Sequence, residues 1–248
     1  MAKCLAIVTA AVAAVSATTL DLSLLPSSYR EALCNDGTMS GYWFRASPTN
    51  SSVWIVHQQG GGWCYDSASC KGRSSTQRSS KDWPATMSVE GLFDSTDARL
   101  KTANLAYVGY CSSDGYAGNA DASVSSFGFA FRGRAIVAAV FDDLRVRHGL
   151  GTAPGTQVLY GGCSAGARGA LWNAGSVHAG LLATVGANLS RFGVLLDSAF
   201  WVDIAPLVST VSFGDEVKVR SRIRLVLDHV TAMDYTERCL LECALRST

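Results

Sequence analysis

Several things are scarce in this chain of 248 residues, and each scarcity narrows what it can be. Beyond residue 17 no apolar run approaches the length of a membrane span. Net charge is only +1 and basic residues do not cluster, so nothing electrostatic points to a nucleic-acid partner. No C-x-x-C occurs and the four histidines, His57, His148, His178 and His229, are scattered, which argues against a zinc site. Neither glycine cluster ends in Lys-Ser/Thr, so a phosphate-cradling loop is disfavoured. There is no internal repeat and no linker-like stretch that would separate two domains.

What is present begins with a secretory-type leader. Lys3 supplies the charge, Leu5 to Val15 the apolar stretch, and Val15-Ser16-Ala17 a small-residue cleavage site. Residues 1–17 are therefore expected to be a signal peptide, and residues 18–248 a single domain. A secreted, extracellular location follows. Cys4 leaves with the leader, so Cys34, Cys64, Cys70, Cys111, Cys163, Cys239 and Cys243 remain. In an oxidising compartment several should pair, and an odd count leaves at least one thiol over or an intermolecular bridge.

Short apolar runs alternate with helix-like stretches, the pattern of a mostly parallel sheet covered by helices, an α/β fold. Val53 to Val56 is strand-like and precedes Gly60-Gly61-Gly62. Asn104 to Tyr110 is a second strand, Val158 to Tyr160 a third, and Gly193 to Leu196 a fourth that ends at Asp197. Phe129 to Arg147 has helical spacing, with Ile136, Val137, Val140, Phe141 and Leu144 on one broad face and Gly149 as the stop. Ala165 to Ala174 is a further helix. Ser67 to Arg78 is polar and aperiodic, as a surface loop would be. Val217 to Leu245 mixes charges with apolar positions and fits either a helix or, in its first part, a strand.

Gly162-Cys163-Ser164-Ala165-Gly166, directly after an apolar strand, has the form of a nucleophile elbow. Small residues flank the serine because the turn is crowded and strained. The hydroxyl of Ser164 is lifted clear of the sheet, and the Ala165 N–H points where an oxyanion would form. With 24 glycines in the chain, G-x-S-x-G alone is a weak signal. A second glycine cluster strengthens it. Gly60-Gly61-Gly62, just after an early strand, allows bare backbone N–H groups to face a cavity and to complete an oxyanion hole. Taken alone that triplet equally fits an ordinary flexible loop.

Five motifs occur in order: Cys34-Asn35-Asp36-Gly37 with Gly41-Tyr42, Gly60-Gly61-Gly62-Trp63-Cys64, Tyr110-Cys111-Ser112-Ser113-Asp114, Gly162-Cys163-Ser164-Ala165-Gly166 and Asp197-Ser198-Ala199-Phe200-Trp201. Together they resemble the pectin acetylesterase/Notum family of secreted α/β-hydrolases, over roughly residues 32–203. Lys81-Asp82-Trp83-Pro84 resembles its Notum-like branch. The resemblance implies an α/β-hydrolase-like fold and carboxylic ester hydrolysis with Ser164 as nucleophile. It implies oxyanion N–H groups from Gly61, Gly62 and Ala165. It also implies disulfides Cys64–Cys70 and Cys34–Cys111. No metal or organic cofactor is required by such chemistry. The substrate implied is an acylated molecule, foremost a pectin-like polysaccharide carrying acetyl esters. The alternatives are a Notum-like deacylase of longer acyl chains, or an inactive truncated homologue that acts as a binding protein.

The family's acid and histidine come later than the Asp-Ser-Gly-Trp-like motif, in the order Ser, Asp, His. Neither is placed between Pro206 and Thr248, so the chain is expected to be C-terminally truncated, with a divergent tail at 204–248. His229, beside Asp228 and Asp234, has the right order but fits a surface position on an amphipathic helix. His57 is expected to be structural or solvated. Asp197 fits a strand-end turn in which its carboxylate caps the following N–H groups, and Cys163 a buried structural thiol.

Overall fold

A computed structural model describes residues 18–94 and 97–199. The leader, Phe200 and Trp201, His229 with Asp228 and Asp234, Cys239, Cys243 and the tail at 204–248 lie outside the described residues.

Among the described residues seven strands form one mixed sheet. They are β1 (Thr18–Leu24), β2 (Gly41–Arg45), β3 (Val53–Gln58), β4 (Thr86–Val89), β5 (Asn104–Val108), β6 (Thr156–Cys163) and β7 (Leu189–Asp197), in the order β4-β1-β2-β5-β3-β6-β7. The block β5-β3-β6-β7 is parallel, while β2, β1 and β4 extend it antiparallel. Four helices among the described residues connect these strands: α1 (Ser67–Lys71), α2 (Ala98–Lys101), α3 (Gly133–His148) and α4 (Ala165–Val185). This is an α/β-hydrolase-like architecture, a mixed sheet flanked by helices. No helix among the described residues is long and apolar enough to cross a membrane.

The amphipathic stretch behaves as its spacing demands. Ile136, Val137, Val140, Phe141 and Leu144 of α3 are all buried, each removing apolar surface worth roughly 1.5–3 kcal/mol. Gly149 ends the helix in the left-handed conformation, φ 77°, which glycine adopts without steric cost. The helix begins at Gly133 rather than near Phe129, because Phe131 pairs with Ala120 in an antiparallel bridge. Its first N–H is received by the carboxylate of Asp114 at 2.9 Å, a cap supplied from a distant loop.

Three other boundaries differ from the sequence expectation. β5 stops at Val108, since Gly109 turns toward β2 and packs against Trp83 so tightly that a Cβ would lie 2.2 Å from its ring. The helix after the elbow runs on to Val185, and β7 starts earlier, at Leu189. Ser67 to Arg78 is not simply a surface loop. Asp66 and Ser69 form a capping box that starts α1, Cys70 is buried, and Ser75–Gln77 make a turn of 3-10 helix.

Candidate active site

Ser164 stands between the last residue of β6 and the first of α4, with φ 53° and ψ −119°. A non-glycine residue reaches that region only where its surroundings impose it. Here they do. A Cβ on Gly162 would lie 2.3 Å from the backbone of Gly166, and one on Gly166 would lie 2.2 Å from the Gln58 carbonyl oxygen. The helix is thus drawn against the ends of β3 and β6, and the chain reverses at Ser164. The Ser164 N–H donates to the Asp197 carbonyl at 3.0 Å, and Ser164 accepts the Arg168 N–H at 3.1 Å.

The glycine triplet lies beside this turn. A Cβ on Gly60 would meet the Cys163 carbonyl at 2.6 Å and the Ser164 Cβ at 3.3 Å. Gly61 and Gly62 have φ of 145° and 65°, values that a side chain would make costly. The N–H groups of Gly61, Gly62 and Ala165 donate to no protein acceptor among the described residues. Ala165 also opens a helix of 21 residues, whose N-terminus favours negative charge.

The carbonyls of the same loop are held firmly. Gly61 accepts from Arg73 Nη1 at 2.6 Å and from Gln77 Nε2 at 3.4 Å. Gly62 accepts from the Tyr110 hydroxyl at 2.7 Å, and that hydroxyl accepts the Gly115 N–H at 2.7 Å. Asp114, half-buried, accepts from Ser112 Oγ and from the N–H groups of Tyr116, Gly118 and Gly133. Burial pushes its pKa up while those bonds pull it down. Arg73, Gln77, Tyr110 and Asp114 had no assigned role in the sequence reading. The first two lie in the polar, aperiodic stretch from Ser67 to Arg78, and the signal that finds them is the short spacing to Cys70.

Two disulfides bracket the site. Cys64–Cys70 closes a short loop after the triplet, and Cys34–Cys111 ties the N-terminal segment to the end of β5. Among the described residues Cys163 is the free cysteine, half-buried rather than buried. Burial, and then the hydrogen bond and charge of Asp197, raise its thiol pKa, so it stays protonated at neutral pH.

The strand-end acid differs from expectation in detail, whereas His57 is structural, one of the two places expected for it. The carboxylate of Asp197 accepts the Ser198 hydroxyl at 3.1 Å, and it is the backbone carbonyl that engages Ser164. His57 is a core residue. Its ring stacks on Tyr107 and meets Phe93 edge-on, and burial lowers its pKa to about 4, opposed by Asp197. His148 packs against Phe44, and His178 stacks on Phe192. Among the described residues no histidine is hydrogen-bonded to Ser164, and no three His, Cys, Asp or Glu side chains gather as a metal site would require.

This geometry has relatives. The family model described as Pectinacetylesterase matches residues 13–239. Palmitoleoyl-protein carboxylesterase NOTUM of Mus musculus is 34% identical over 176 residues, covering 68% of this chain and 34% of that protein. Pectin acetylesterase 11 of Arabidopsis thaliana is 33% identical over 167 residues, 65% of this chain and 42% of the relative. The structure of the Wnt deacylase Notum from Drosophila superposes with a TM-score of 0.74 at 28% identity, over 83% of this chain and 60% of that one. The chain spans roughly a third to two fifths of the length of these two curated relatives.

Proposed function

The chain belongs to the pectinacetylesterase family, and from that premise we propose that it is a secreted serine carboxylesterase with Ser164 as nucleophile, removing acetyl groups from pectin-like polysaccharide esters. The observation that carries this reading is the strained Ser164 turn, with Gly60 of the glycine triplet packed against it and Ala165 opening the helix that follows. Two disulfides suit an oxidising compartment, in keeping with the leader-like residues 1–17.

The chemistry is two-step acyl transfer. Ser164 Oγ adds to the ester carbonyl carbon while a general base, a role that none of the described histidines fills, takes its proton. The carbonyl oxygen becomes an oxyanion, which the Gly61, Gly62 and Ala165 amides receive. The bond to the alcohol oxygen then breaks, and the alcohol leaves with that proton. Water adds to the acyl-serine, the acid departs, and the serine hydroxyl is restored.

A second reading, deacylation of a longer acyl chain, is favoured by the similarity to mouse NOTUM and to the Drosophila structure. One experiment addresses both. The full chain is labelled with a fluorophosphonate and assayed on acetylated pectin and on a palmitoleoylated peptide. Labelling and acetate release are expected, both lost in Ser164→Ala by at least about a thousandfold. Equal labelling of the variant overturns the nucleophile assignment. Preference for the peptide selects the second reading.

A further inference from the structure

The Gly61 carbonyl is the point on which the segment after Cys70 converges. Arg73 Nη1 reaches it at 2.6 Å, while Arg73 Nε donates to Ser113 Oγ at 3.2 Å. The guanidinium also lies 5.7 Å from the centre of the Tyr110 ring. Three neighbours therefore fix its position. Cys70 brings the segment there, bonded to Cys64 two residues beyond Gly62, and the Arg73 N–H donates back to the Cys70 carbonyl.

A trans peptide unit is planar, and its C=O points opposite to the N–H that follows. All peptide bonds among the described residues are trans. The donor that holds the Gly61 carbonyl therefore also sets the direction of the Gly62 N–H. Neither glycine has a side chain to restrict this unit, so without an external hold it is free to swing. A charged donor does more than hold. Bonds from a guanidinium are roughly twice as strong as neutral ones, and drawing electron density toward the carbonyl makes the N–H at the other end a better donor.

We propose that Arg73 is a positioning residue that fixes and polarises the Gly61–Gly62 peptide, presetting the Gly62 N–H for the oxyanion. The inference rests on the serine-esterase reading of the site. Arg73 does not touch the substrate; it acts through the peptide it holds. Gln77, more distant at 3.4 Å and uncharged, is a minor support.

The test uses the full chain and p-nitrophenyl acetate. Arg73→Met, Arg73→Lys and Gln77→Leu are compared with wild type for kcat, KM, fluorophosphonate labelling rate and melting temperature. Losing a direct oxyanion donor costs about 10²–10³ in kcat, so losing the residue that aims one is expected to cost about 10–100-fold. Arg73→Met should lower kcat and labelling rate by that factor with KM held within about threefold. Arg73→Lys should recover a good part of the loss, and Gln77→Leu should stay within about threefold of wild type. An Arg73→Met protein with wild-type kcat and labelling overturns the role of Arg73 alone. So does a loss that tracks the unfolded fraction and is not restored by lysine. A wild-type chain that neither turns over nor labels overturns the serine-esterase reading, and this inference with it.

Discussion

β3 and β7 are both parallel to β6, one on each side, and the loop after β3 and the last residue of β7 both touch the Ser164 turn. Otherwise they are unlike. Every residue of β3 from Trp54 to Gln58 is buried, whereas no residue of β7 is. β3 has β5 on its far side, Tyr107 and Phe93 against His57, and α4 drawn onto Gln58. β7 leaves Val194 and Leu195 exposed, with relative accessibilities of 41% and 38%. Among the described residues the elbow thus has one wall set in dense packing and one wall with little cover. The glycine loop belongs to the dense wall, where Arg73, Gln77 and Tyr110 hold its carbonyls.

The contrast can be broken most forcefully at the covalent tie of the dense wall. Cys34 and Cys111 are 77 residues apart in sequence, so their bond restrains a long loop in the unfolded chain. Replacing both by serine is expected to cost about 4.5 kcal/mol in denaturant unfolding. A loss below about 1 kcal/mol would mean that the N-terminal part of the sheet does not share the stability of the site.

Acid should find the dense wall next. Burial holds His57 near pKa 4 against 6.5 when unfolded. The unfolded chain therefore binds this proton first as pH falls. The stability tied to neutral His57 is complete above pH 6.5 and is lost progressively toward pH 4, a change on the order of 3 kcal/mol. Equilibrium unfolding across that window should be steeper for wild type than for His57→Gln. Parallel pH profiles would show that the ring is hydrated.

The smallest effect, at Leu195, sharpens the comparison when it is read against Ile55. Ile55 on β3 is 1% exposed and Leu195 on β7 is 38% exposed. Ile55→Ala is expected to destabilise by about 2–5 kcal/mol through the cavity it leaves. Leu195→Ala should cost under about 1 kcal/mol, because little of its surface is withdrawn from water. Similar costs at the two positions would show that β7 is covered in solution.

Much of this organisation was legible residue by residue. The face of α3 followed from the spacing of Ile136, Val140 and Leu144, and Gly149 marked its end. The elbow was marked by Gly162, Ser164 and Gly166, and the sheet by its apolar runs. These are local matters: periodicity, a turn that only small residues fit, a glycine that tolerates positive φ. Helix and strand ends were less legible. Gly133 became the start of α3 because Asp114, 19 residues earlier, receives its N–H.

Other features have no local signature at all. Nothing around His57 in sequence says that Tyr107 and Phe93 will enclose it and keep it neutral. Nothing in the run from Ser67 to Arg78 says that Arg73 will meet the Gly61 carbonyl. By itself the sequence determined which segments form elements and which serine sits in a strained turn, because those depend on side-chain size and spacing within a few residues. Only the tertiary structure decided which groups hold the glycine loop and which histidine is buried, because hydrogen bonding and desolvation depend on neighbours that the fold brings together from distant parts of the chain.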